Sequence, residues 1–208
     1  MSNELDPLSE RKSMMLYSQQ LMGPERILSI LTRFEQDHPE HHGITFSTRQ
    51  YFFADPMIPC QPGLSAVGNK FAFERFIEKM HLGYYVSMDT NDFKIINKLG
   101  HDIGDIVIKK IGHALRNATQ HISRSKLFRS GGDEFLLYCE TLEHAFHFIE
   151  HAIAEIGEID IGHDIVITLS FGVGTSYKEA EAALLKAKDR KTSIPNNIVY
   201  HLRPSNDI

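Results

Sequence analysis

Two short apolar runs, Lys126–Arg129 and Glu134–Cys139, are separated only by Ser130-Gly131-Gly132-Asp133. Adjacent glycines between strand-like segments signal a tight hairpin. This pair of strands constrains the fold more than any other stretch, because the rest of the chain must cover it. The surrounding sequence alternates helix and strand patterns. Asn69–Met80 places Phe71, Phe73, Phe76 and Ile77 on one helical face, and Tyr84–Met88 is a short buried strand. Asp92–Leu99 is a brief helix, and Gly104–Ala118 is a longer one with Ile106, Val107, Ile108, Ile111 and Leu115. Leu142–Glu155 is a helix, Ile165–Phe171 a strand, Glu179–Lys188 an Ala/Leu/Lys-rich helix and Ile198–His201 a last strand. This order predicts an α+β domain with a mostly antiparallel sheet flanked by helices.

Upstream, Met1–Lys12 is polar. Apolar residues at helical spacing run from Leu16 to Glu35, interrupted at Gly23-Pro24. Proline suits the first turn of a helix, so a short helix, a break and a second helix from Pro24 to Asp37 are expected. His38–Gly43 is a loop, and its His38, His41 and His42 fit a solvated loop better than a metal site. Ile44–Phe53 has a strand pattern. Ala54–Gly63 holds Pro56, Pro59 and Pro62, which predicts an irregular connector. The expected division is a helical and extended segment over 1–62 and a domain over 63–204.

The 208 residues are 42% hydrophobic and 24% charged, ordinary for a packed globular chain. A net charge of −5 offers no broad basic surface, so nucleic acid is not an expected partner. Cys60 and Cys139 are too few for a disulfide framework or a zinc pattern, and Cys139 sits in an apolar run as a buried thiol. The first residues lack an apolar signal core, and no run approaches the roughly 18–20 apolar residues needed to cross a bilayer. A soluble, cytoplasmic chain without a membrane partner is expected.

The chemistry-bearing residues gather around the hairpin. Gly131 and Gly132 have no Cβ and a permissive backbone, so a phosphate can approach closely. Asp133 and Glu134 follow directly, and consecutive strand residues face opposite ways, so only one is expected in a given site. Alone, this turn fits an ordinary hairpin with acidic residues equally well. Asp89, at the end of the apolar strand Val86-Ser87-Met88, supplies a second carboxylate. Asp89 and Asp133 together suit Mg²⁺, which prefers hard oxygen ligands and bridges to phosphates. The helix after Asp89 directs backbone N–H groups near Asn91–Phe93 toward phosphate oxygens.

The run Phe93-Lys94-Ile95-Ile96-Asn97-Lys98-Leu99-Gly100-His101-Asp102-Ile103-Gly104-Asp105, with Arg129-Ser130-Gly131-Gly132-Asp133-Glu134-Phe135, resembles the two main signatures of the GGDEF family of diguanylate cyclases. Asn69-Lys70-Phe71-Ala72-Phe73 and Ile167-Thr168-Leu169-Ser170-Phe171-Gly172-Val173 are similar to its outer motifs, and the resemblance covers about Leu64 to Arg203. It implies a palm-like nucleotidyl-cyclase fold and condensation of two GTP into cyclic di-GMP with release of pyrophosphate. By the same resemblance, Asp89, Asp133 and the Thr90 carbonyl hold Mg²⁺ or Mn²⁺, and Glu134 helps activate the attacking 3′-hydroxyl or binds metal. Gly131, Gly132, Phe93, Lys94 and Lys188 serve the triphosphate. Asn97 and Asp105 read the guanine edge, a carboxylate accepting from N1–H and N2–H where adenine has no matching donor pair. Taken singly, Asn97 and Asp105 fit helix capping and the lysines a solvated face. His101 is structural. Because each domain binds one GTP, the implied enzyme is a two-fold homodimer.

The chain departs from the family pattern at several points. Pro62-Gly63-Leu64-Ser65-Ala66-Val67 stands where the family has Asp-x-Leu-Thr-Gly-Leu, and Asn91 replaces an Asp. Thr192 occupies an Arg position, which weakens triphosphate binding, and Ile122-Ser123-Arg124-Ser125 lacks the Arg-x-x-Asp of the family's product-inhibition site. These departures keep a second reading open, a catalytically weak domain that binds GTP or a protein as a regulator.

Overall fold

The structure, a computed structural model, describes residues 24–41, 53–58, 65–79, 82–162, 165–189 and 198–200. The chain divides into two compact units, Met1–Phe53 and Ala54–Ile208. In the first, helix α1 spans Pro24–Asp37, as Pro24 at its first turn predicts, and a 3₁₀ turn follows over Pro39–His41. His38 closes the helix: its amide donates to the Phe34 carbonyl at 2.9 Å. The helix expected before Gly23 lies outside the described residues, as does the strand Ile44–Phe53 except for its last residue.

The second unit is the α+β domain. Its elements are α2 (Lys70–Glu78), β1 (Tyr84–Thr90), α3 (Phe93–Leu99), α4 (His101–Thr119), β2 (Lys126–Arg129), β3 (Glu134–Cys139), α5 (Leu142–Gly157), β4 (Leu169–Gly174), α6 (Tyr177–Asp189) and β5 (Ile198–Tyr200). The sheet order is β2-β3-β1-β4-β5, antiparallel except for the β4–β5 pair. Alternation along β1 sorts side chains to two layers. Val86 and Met88 join Phe135, Leu137, Phe171 and the buried residues of α4 and α5 in the larger core. Tyr85 on the other face packs with Phe73, Phe76, Phe128, Leu136 and Ala180, beneath α2 and α6. Side chains also start the helices. Asn69 Oδ1 accepts from the Ala72 amide at 2.9 Å, and the Thr141 hydroxyl from the His144 amide at 3.1 Å, satisfying donors that a helix start leaves open.

Two expectations change. The strand read as Ile165–Phe171 is Leu169–Gly174. Gly172 and Gly174 argue against a strand by propensity, yet α6 requires them. A Cβ at Gly172 would meet the backbone of Ala180 and Leu184, and one at Gly174 the Ala180 amide. Ala180, Ala183 and Ala187 complete this close approach of helix to strand. The segment expected as a connector also folds onto the sheet domain at residues 54–58. The Asp55 amide donates to the Val67 carbonyl at 2.7 Å, and Ile58 is fully buried against Gly112. Pro56 is compatible because Ala54 and Gly68 form only an isolated bridge beside β2.

Candidate active site

A cleft of about 550 Å³ opens at the end of β1 where the chain turns into α3. Its lining includes Asp89, Thr90, Phe93, Lys94, Asn97, Gly132, Asp133 and Lys188. These residues come from three stretches of the sequence. The β1–β3 register sets Asp89 opposite Glu134, so Asp133 stands at the mouth of the hairpin beside the end of β1. The Thr90 hydroxyl spans the gap, donating to the Asp133 carbonyl at 3.4 Å. On the other side β1 pairs with β4, and α6 lies against both strands, carrying Lys188 over the carboxylates. Lys188 Nζ sits 2.7 Å from Asp89 Oδ2.

Two carboxylates in one half-buried place repel each other. Burial first, and Asp89 second, push the Asp133 carboxyl above its ordinary range, with Glu134 adding to the shift and Lys188 opposing it. Such a site favours a cation. Asp89 and Asp133 are hard oxygen donors suited to Mg²⁺ or Mn²⁺, and the Lys188 ammonium on Asp89 stands where positive charge is wanted. Among the described residues no third carboxylate or histidine joins them, which leaves positions for phosphate oxygens or water.

Of the remaining expected residues, Asn97 and Gly132 line the cleft, whereas Asp105, Gly131 and Glu134 are not part of its lining. The Asn97 side-chain oxygen lies over Gly104, where a Cβ would collide with it. Asp105 is exposed on the first turns of α4, next to that glycine. Glu134 is exposed, and its carboxylate folds back over Gly131. Neither Gly131 nor Gly132 adopts a positive φ, so backbone freedom is not what the turn uses. Gly131 yields space to Glu134, and Gly132 faces open space at the cleft.

Two features escaped the sequence reading, the roles of Arg129 and Asp55. Arg129 clamps the turn: its Nε and Nη2 donate to the Gly132 carbonyl at 3.0 and 2.6 Å. The same guanidinium reaches Asp55 Oδ2 at 3.3 Å, and Asp55 is only 5% exposed. A forked donor directly before an acidic turn was the available clue for Arg129, whereas nothing in the pattern marks Asp55. Asn91, which stands where the family has an Asp, donates from its side-chain amide to Thr168 Oγ1 at 2.9 Å and accepts from Ser170 Oγ at 2.8 Å. Asn91 therefore ties the end of β1 to the approach of β4.

A hairpin carrying one carboxylate, a neighbouring strand end carrying another and a cleft between them make a candidate cation and phosphate site on an α+β sheet. The family described as "Diguanylate cyclase, GGDEF domain" matches residues 69–193, and the chain belongs to it. The diguanylate cyclase DgcS of Shewanella oneidensis is 28% identical over 109 residues, 51% of this chain and 36% of that protein. The chain thus spans little more than a third of that curated relative. Among solved structures, the diguanylate cyclase SiaD of Pseudomonas aeruginosa, in complex with its activator SiaC, superposes with a TM-score of 0.62. That match is 24% identical and covers 93% of this chain and 79% of SiaD, a likeness of fold. The active GGEEF domain of a diguanylate cyclase from Vibrio cholerae superposes with a TM-score of 0.52 at 26% identity, covering 65% of this chain and 92% of the other. No helix among the described residues is long and apolar enough to cross a membrane.

Proposed function

We propose that the protein is a diguanylate cyclase that condenses two GTP into cyclic di-GMP, acting as a two-fold dimer. The observation that carries this reading is the convergence of Asp89 and Asp133 on one cleft beside Lys188. A pure binding module has no use for two partly buried carboxylates placed to repel each other. When bound there, Mg²⁺ or Mn²⁺ supplies charge stabilisation for the phosphoryl group under attack.

The chain's own residues do the rest. Lys94 and Lys188 line the cleft as cations for the triphosphate, and Lys188 is freed from Asp89 once a metal takes that carboxylate. Gly132, with no Cβ and open space in front of it, lets a phosphate approach the turn. Asn97 and Asp105 take the guanine edge, Asn97 from the cleft wall and Asp105 from the exposed start of α4. The 3′-oxygen of one GTP bonds to the α-phosphorus of the other, whose bond to the bridging oxygen breaks. Pyrophosphate leaves, and the hydroxyl proton passes to solvent or a nearby carboxylate. Two such transfers close the ring, so two clefts must face each other, and catalysis rests on positioning and electrostatics.

A second reading, a weakly catalytic GTP-binding regulator, is favoured by Glu134, whose carboxylate folds over Gly131 instead of lining the cleft. Incubation of the purified chain with GTP, ATP and Mg²⁺, followed by mass spectrometry, separates the two. Cyclic di-GMP from GTP alone, abolished by Asp133→Ala, is the expected outcome. GTP binding without any cyclic dinucleotide at high protein concentration establishes the regulator instead.

A further inference from the structure

Three histidine rings meet on the surface where the end of α4 runs beside α5, away from the cleft residues. His147 and His151 stand one turn apart on α5, with their Nε2 atoms 3.3 Å apart. His121, just beyond the end of α4, stacks on His151 with ring centroids 4.3 Å apart and planes 19° from parallel. One turn further along α5, Glu155 is held by the Asn117 amide at 3.1 Å.

The spacing of the two nitrogens is informative. Zinc–imidazole bonds run about 2.0–2.1 Å, and a tetrahedral angle between two of them spans ~3.3 Å. Histidines four apart on a helix share one face, and here their rotamers already turn the same atoms toward each other. Between neutral rings that contact is one Nε2–H donating to the other Nε2. A metal ion takes the shared position once the donor ring shifts its proton to Nδ1, and no change in total protonation is needed. The rings lie at the surface and add nothing to the core, so the arrangement has no evident packing role.

We propose that His147 and His151 form a bidentate site for a borderline transition-metal ion such as Zn²⁺, Ni²⁺ or Cu²⁺. His121 serves as the third ligand after it swings off the face of His151. Among the described residues no three ligating groups already converge on one point, so the third ligand arrives by ring rotation. Imidazole nitrogen suits these ions and not Mg²⁺. This site therefore does not compete with Asp89 and Asp133 for Mg²⁺, and its failure leaves the cyclase reading untouched.

The test is titration of the full chain with Zn²⁺ by calorimetry, with millimolar Mg²⁺ present throughout, and with melting temperature as a second readout. The expected result is one equivalent bound and a rise in Tm that Mg²⁺ does not give. His147→Gln and His151→Gln each weaken binding on the order of tenfold or more, His121→Gln weakens it less, and Asp133→Asn leaves it unchanged. Cu²⁺ binds more tightly than Zn²⁺, and its paramagnetic resonance spectrum shows nitrogen coupling that the paired substitution removes. No Zn²⁺ binding up to roughly millimolar, or equal affinity in His147→Gln/His151→Gln, overturns the site. Equal affinity in His121→Gln removes the third ligand. Circular dichroism confirms that these surface variants keep the fold.

Discussion

The Lys188 ammonium lies 2.7 Å from the Asp89 carboxylate, across the cleft that a divalent cation and a triphosphate are proposed to enter. On the proposed reading the same lysine has two partners in turn, Asp89 without metal and phosphate with it. Lys188→Met leaves Asp89 and Asp133 facing each other without a counter-charge. Thermal melts of this variant without divalent ions are expected to show a loss of stability of about 1 kcal/mol, given that Lys188 is partly solvated. The deficit narrows in millimolar Mg²⁺, while KM for GTP rises. An equal deficit with and without Mg²⁺ would show that Lys188 does not share its place with the cation.

Arg129 holds the turn through Gly132 and anchors to the buried Asp55. Removing one partner of a buried ion pair leaves an uncompensated charge, which costs about 3 kcal/mol or more. Arg129→Met is expected to lose that much in urea denaturation, and Arg129→Met/Asp55→Asn to regain most of it. Activity stays low in both, since neither restores the donors on the Gly132 carbonyl. Recovered turnover in the double variant would mean that the clamp serves stability alone.

Two glycines separate steric need from chemical need. At Gly172 an added Cβ runs into the α6 backbone, and at Gly132 it meets nothing within 4 Å. Gly172→Ala must push α6 off β4, with a loss of about 1–3 kcal/mol, and it moves Lys188 along with the helix. Gly132→Ala should keep a stability within about 0.5 kcal/mol of the parent but raise KM for GTP, because the methyl group stands where a phosphate is proposed to approach. Thermal melts and steady-state kinetics on the pair decide this.

Cys139 has no exposed surface, and burial pushes its thiol up to about 12. The thiolate is the reacting form, so alkylation near neutral pH should not touch Cys139 until the protein unfolds. Mass-spectrometric mapping after iodoacetamide treatment, with and without urea, checks this. Rapid native labelling of Cys139 would mean that the C-terminal end of β3 opens far more readily than its packing implies.

The local elements were legible in the sequence because each carries its own punctuation. β2 and β3 have the limits that the Gly-Gly turn and their apolar runs imply, and α1 begins at Pro24. β4 slipped because its glycines lower strand propensity, and their purpose appears only when α6 is laid on them. The carboxylates were found at a strand end and a hairpin, places that sequence pattern marks. Their closest cation contact, Lys188–Asp89, and the Arg129–Asp55 tie join distant residues. Such pairings depend on sheet register and helix docking, which no local pattern encodes.

Asp133 sets the expected pH dependence. Burial and the nearby Asp89 raise its folded carboxyl above the unfolded value, so the folded chain binds this proton more tightly. Its contribution to stability is thus fully present below the unfolded value and is lost as pH rises through the raised folded one. Without divalent ions, Asp133→Asn should gain stability relative to the parent as pH rises from about 4 to 7, as judged by melting temperature. Metal binding needs the ionised carboxylate, so Mg²⁺ reverses the order at neutral pH, stabilising the parent and not Asp133→Asn. The parent's Mg²⁺ affinity correspondingly weakens as pH drops through the raised value. A parent protein as stable as Asp133→Asn across that range without metal would mean that the two carboxylates are not held in the conflict the structure shows.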